Sequence, residues 1–124
     1  MKLKTERKQE KVVVERGGET IVFYGSPLTP KEVFDFLQSS KKVTWERNQR
    51  FEEPIFYKFK VMKMQRVIDD WEGVEDEDGM EMKCTPDNIE LVYLFNSDLI
   101  DEALDKFDQL GLEYEKDREY LEKN

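Results

Sequence analysis

Histidine is missing altogether from the 124 residues. That removes the side chain most used as a general base near neutral pH, and the commonest metal ligand with it. There is one cysteine, Cys84, so no disulfide can form within the chain and no structural zinc site can be built. Glycine (6) and proline (4) are sparse, and the positions they occupy therefore mark turns and helix caps. No apolar run approaches the length that spans a bilayer. Met1 to Glu10 is polar and charged, without the apolar segment of a secretory leader. A Gly-rich phosphate loop and a nucleophile elbow are also missing. The expectation is one small domain in a reducing cytoplasm.

Charge is plentiful. Charged residues make up 40% of the chain and the net charge is −9. The two halves differ: residues 1–66 hold 15 Lys/Arg against 9 Asp/Glu, and residues 67–124 hold 5 against 20. Either the halves complement each other within one fold or between copies, or the acidic half faces a basic partner; the first is the simpler expectation. The chain as a whole carries no basic nucleic-acid footprint. With 8 Phe, 5 Tyr and 2 Trp, it is too rich in aromatics for a disordered chain.

Taken in order, residues 1–10 read as a frayed, charged lead-in. Residues 11–15 and 20–24 are rich in β-branched and aromatic side chains, and Gly17-Gly18 between them suits a tight turn, which predicts a β-hairpin. Thr29-Pro30 with Glu32 is a capping-box helix start. Val33, Phe34, Phe36 and Leu37 follow at helical spacing as core candidates, and the helix should end near Ser39-Ser40. Residues 41–54 read as an irregular, locally basic connector with Trp45 as an anchor; Glu46, Glu52 and Glu53 dilute any nucleic-acid reading. Met64, Val67, Ile68 and Trp71 keep three-or-four spacing, which predicts a helix over 55–70.

An acidic turn follows, with eight acids between Asp69 and Glu81 and breaks at Gly73 and Gly79. Thr85-Pro86 opens the next helix, with Ile89, Val92, Tyr93 and Phe95 along its buried face. Asn96-Ser97 opens the last, with Ile100, Ala103, Leu104, Phe107 and Leu110 as its stripe and Gly111 as its stop. Residues 112–124 read as a weak helix or loose tail. The fold expected is α+β and mostly helical: an N-terminal β-hairpin, then about four helices, with an acidic turn before the last pair.

Candidate chemistry is thin. Read as an EF-hand loop around Gly79, the acidic turn puts Val74 at the first ligand position and Thr85 at the last, so a tight calcium site is not expected. Carboxylate pairs such as Asp69-Asp70 are too abundant for any one to be informative. The acidic surroundings of Cys84 raise its pKa and oppose a role as nucleophile.

The ordered set Ile68-Asp69-Asp70-Trp71-Glu72-Gly73-Val74, then Asp76, Asp78-Gly79 and Cys84-Thr85-Pro86-Asp87-Asn88, followed by two amphipathic helices and the charged close Tyr120-Leu121-Glu122-Lys123-Asn124, resembles small tailed-phage and prophage proteins of the tail assembly chaperone type. The tight match covers about a fifth of the chain, and the layout covers about two thirds by its periodicity. The resemblance implies a non-enzymatic protein without cofactor in the host cell cytoplasm. It would hold the tape-measure protein soluble and help tail-tube subunits polymerise. Membrane and nucleic acid are not expected partners, and homo-oligomers are allowed. Apolar grooves between such helices can hold a partner helix, and Trp71, Val74, Tyr93, Phe95 and Phe107 are the candidate contact residues. For Trp71 a structural role, capping the core beside Gly73 and Val74, outweighs an anchoring one. Two alternatives belong to other classes: an acidic DNA mimic or inhibitor acting through residues 67–124, and a virion tail component.

Overall fold

The computed structural model describes residues 1–2 and 7–123, with side chains as far as residue 112. Its elements run β1 (Glu10–Arg16), β2 (Glu19–Gly25), α1 (Pro30–Ser39), β3 (Lys41–Glu46), β4 (Gln49–Pro54), α2 (Phe56–Val67), β5 (Ile68–Glu72), α3 (Pro86–Phe95) and α4 (Ser97–Lys123). The α+β class and the N-terminal hairpin are as expected. Among the described residues, helices take up 59 and strands 31 of the chain's 124, so "mostly helical" overstates the helix.

The first hairpin turns on Gly17 and Gly18, whose φ values of +57° and +80° fit a two-residue turn. Strict alternation points Val12, Val14, Ile21 and Phe23 inward and leaves the intervening residues on the other face. The outer edge of β1 is covered: Lys106 Nζ donates to the Val13 carbonyl, and Arg16 Nη1 donates to that of Glu15 at 2.8 Å.

β5 forms the other edge, giving the order β1-β2-β5 with antiparallel neighbours. This corrects the helix expected over 55–70, which ends at Val67. Ile68 to Glu72 extend instead, because the open edge of β2 offers hydrogen-bond partners that local periodicity cannot show. Gly25 allows the junction, since a Cβ there would lie 1.7 Å from the Val67 carbonyl oxygen. Phe23 and Trp71 are register partners, and their rings meet edge to face at a centroid distance of 6.4 Å.

The inner face of the sheet is covered by Met64 and Val67 of α2, Ile89 and Val92 of α3, and Ile100, Ala103, Leu104 and Phe107 of α4. The contacts fix the helix directions. Tyr57 at the start of α2 meets Glu90 and Tyr93 late in α3, whereas Gln65 near its end meets Pro86, so the two helices are antiparallel. Lys60 pairs with Asp101 and Lys63 with Asp108, so α2 and α4 run the same way. α4 continues through Gly111, the expected stop. There the small residue admits Pro27, whose Cβ would be 3.3 Å from an added methyl.

α1 has its full capping box but no buried residue, and Phe34 faces outward rather than joining the core. It is fastened through Glu32. Arg66 donates to this carboxylate through Nε and, at 2.8 Å, through Nη2, and also binds the carbonyls of Ser26 and Pro27. The second correction concerns residues 41–54, which form a hairpin and not an irregular connector. Arg47 and Asn48 take positive φ at its turn (52° and 65°). Its strands have no buried residue, and Trp45 is 69% exposed, so it is no anchor among the described residues.

Candidate protein-binding surface

The candidate contact residues separate into two groups. Trp71, Val74 and Phe107 are buried, Tyr93 is half-buried and Phe95 is exposed. Trp71 seals the sheet. Its indole Nε1 donates to the Met82 carbonyl at 2.7 Å, which draws the segment after the acidic turn over the core. Val74 sits under the same turn and accepts a backbone bond from Met82. Of the five, Phe95 alone has most of its surface exposed, and Tyr93, half-buried, meets the ring of Tyr57.

The acidic turn is a self-contained device. The Asp76 carboxylate accepts from the backbone N–H groups of Asp78 and Met80, both at 2.9 Å, and Gly79 takes φ +77°. No group of three or more His, Cys, Asp or Glu among the described residues is arranged to hold a metal. Beside the turn lies an open cleft of about 410 Å³ lined by Asp70, Trp71, Glu81, Met82, Lys83 and Cys84. Burial, and then the charges of Asp70 and Asp69, push the Cys84 thiol up to about 12. It stays protonated at neutral pH and is a poor nucleophile.

The charge imbalance between the halves is partly settled inside the fold. Arg16 pairs with Asp98 and Glu102, Lys60 with Asp101 and Lys63 with Asp108, each pair joining the basic half to the acidic one. Tyr57 adds a hydrogen bond to Glu90 at 2.7 Å.

What the chain leaves unsettled is apolar. α3 carries two apolar faces. Ile89 and Val92 enter the core, while Leu91, Leu94 and Phe95, at i, i+3 and i+4, point outward, Phe95 at 80% exposure. A helix apolar on all sides is normally enclosed. The helix directions place the end of α3 beside the start of α2, where Phe56 and Tyr57 are also exposed, and this is the end from which the β3–β4 hairpin projects. Phe56 and Tyr57 at the start of α2 and Leu94 and Phe95 at the end of α3 therefore lie toward one end of the molecule. Clustered exposure of this kind marks an interaction site. A cue for it was present in the sequence, since Leu91 and Leu94 stand off the stripe of Ile89 and Val92 and give α3 a second apolar side. No protein-family model, curated protein or solved structure matches the chain.

Proposed function

We propose that the protein is a non-enzymatic binding module that shields an apolar helical segment of a partner chain against the outer face of α3 and the start of α2. The observation carrying this reading is that α3 exposes Leu91, Leu94 and Phe95 while its opposite side is fully used by the core. Such a face fits an amphipathic helix laid along it. The resemblance supplies the identity of the client: the tape-measure protein of a tailed phage, whose long helices need covering before the tail tube closes around them, with the tube protein as a second partner. The thiol held neutral at Cys84 and the lack of histidine support a role without covalent catalysis.

The test is co-expression with a tape-measure protein encoded beside it, followed by affinity capture at low and high salt. Apolar docking survives high salt, whereas an acidic inhibitor acting through residues 67–124 releases its basic partner as screening rises. Leu94→Ser with Phe95→Ser should abolish capture and leave the protein folded by circular dichroism, because both side chains lie outside the core and are mostly exposed. Capture unaffected by the double substitution would defeat the proposal.

A further inference from the structure

Among the described residues the β3–β4 hairpin has two open edges, in contrast with β1, whose outer carbonyls are covered. Its hydrogen-bond phase is fixed. Ile55 N–H donates to the Ser40 carbonyl at 2.8 Å, and the register pairs Lys42 with Glu53, Thr44 with Phe51 and Glu46 with Gln49. Alternation from the Ser40–Ile55 pair makes these three pairs the bonded ones. The N–H and C=O groups of Val43 and Trp45 therefore point out of the β3 edge.

We propose that this edge pairs antiparallel with the same edge of a second copy of the chain, with Thr44 on the two-fold axis. The phase permits only registers in which odd positions meet odd ones. In the register centred on Thr44, Val43 and Trp45 of one copy exchange backbone bonds with Trp45 and Val43 of the other. Lys42 then lies opposite Glu46 of the second copy at both ends, and the two Thr44 side chains meet. What the free β3 edge leaves unused is used. Val43 and Trp45 are 42% and 69% exposed, and neither Lys42 nor Glu46 forms an ion pair among the described residues. On the β4 edge, Glu52 is already engaged by Lys41 and Arg50, and Pro54 has no N–H to donate. An isologous contact of this kind closes as a dimer. This inference is independent of the partner reading above, because it is tested on the protein alone.

Sedimentation of the purified full chain at high micromolar concentration should show a dimer. Lys42→Glu, which sets like charges opposite each other twice, should weaken it about tenfold, and adding Glu46→Lys should restore it. In a Cys84→Ala background, Thr44→Cys should form an intermolecular disulfide under mild oxidation, since a non-hydrogen-bonded pair brings the two β-carbons close. Phe51→Cys in the same background should not. Lys42, Thr44, Glu46 and Phe51 lie outside the core, and Cys84→Ala trims only a thiol at its margin, so the folded state persists in each variant. A monomer with no Thr44→Cys cross-link would overturn the proposal, as would cross-linking at Phe51→Cys in place of Thr44→Cys.

Discussion

Glu32→Gln isolates what holds α1 to the rest of the fold. The helix buries no residue of its own, so its position depends on the carboxylate that meets Arg66, Thr29 and Arg7. The Glu32 and Arg66 side chains are only 21% and 15% exposed. Gln keeps the shape and removes the charge, leaving a half-buried guanidinium with neutral acceptors. Hydrogen bonds to a charged group contribute about 1.5–3 kcal/mol each in net terms. With part of the cluster still wet and part of the bonding retained, a loss of about 2 kcal/mol is expected at neutral pH. For a chain of this length that lowers the melting temperature by roughly 8 °C.

The pH dependence follows from the same cluster. Burial works to raise the Glu32 carboxyl, but the bonds from Arg66 and Thr29 outweigh it and hold it down at about 2, below its ordinary 4.5. A group whose folded pKa is depressed stabilises above its unfolded pKa, and that contribution fades as the pH falls toward the folded value. The gap between wild type and Glu32→Gln should therefore be full above pH 4.5 and close progressively toward pH 2. Thermal melts followed by circular dichroism across this range decide it. A gap absent at neutral pH, or one undiminished in acid, would refute the reasoning.

Three further outcomes are expected. Trp71→Ala should cost about 3–5 kcal/mol through the cavity beside Phe23, and Trp71→Phe about 1 kcal/mol more than its lost area through the bond to Met82; urea melts that rank the two equally would contradict this. Gly25→Ala should fail to give a folded chain by circular dichroism, because the methyl meets the Val67 carbonyl oxygen at 1.7 Å, whereas Gly79→Ala, with nothing within 4 Å but φ +77°, should fold with a loss of about 1 kcal/mol. Alkylation of Cys84 by iodoacetamide at mildly alkaline pH should run more than about a hundredfold slower in the native protein than in urea, since its thiol sits at about 12; equal rates would show the thiol to be free.

The features legible from the sequence were those encoded by neighbouring residues. Gly17-Gly18 announced the first hairpin, and Thr29-Pro30 and Thr85-Pro86 announced two helix starts, because turns and caps are satisfied within a few residues. What escaped notice depends on distant partners. The spacing of Met64, Val67, Ile68 and Trp71 suits a helix, yet the strand after Val67 is dictated by the free edge of β2, some forty residues away. Gly111 reads as a stop because nothing local reveals Pro27. The second hairpin was hidden by its turn, in which Arg47 and Asn48 adopt the positive φ that glycine usually supplies. Of the five candidate contact residues Phe95 alone is largely exposed, although its spacing also suits the buried face of α3; Trp71, Val74 and Phe107 have strongly apolar side chains, and the core claimed them first.

The bond between the Ser40 carbonyl and the Ile55 N–H closes the base of the second hairpin, so the fourteen residues between begin and end at one point of the framework. The chain thus carries two stabilities. Amides of Val14 and Phe23 open only when the whole domain unfolds, while those of residues 41–54 answer to the much smaller free energy of a two-stranded ribbon. Substitutions in the ribbon leave the core intact, and the proposed pairing of two copies would extend its sheet to four strands. On the proposed pairing, its order would rise with concentration.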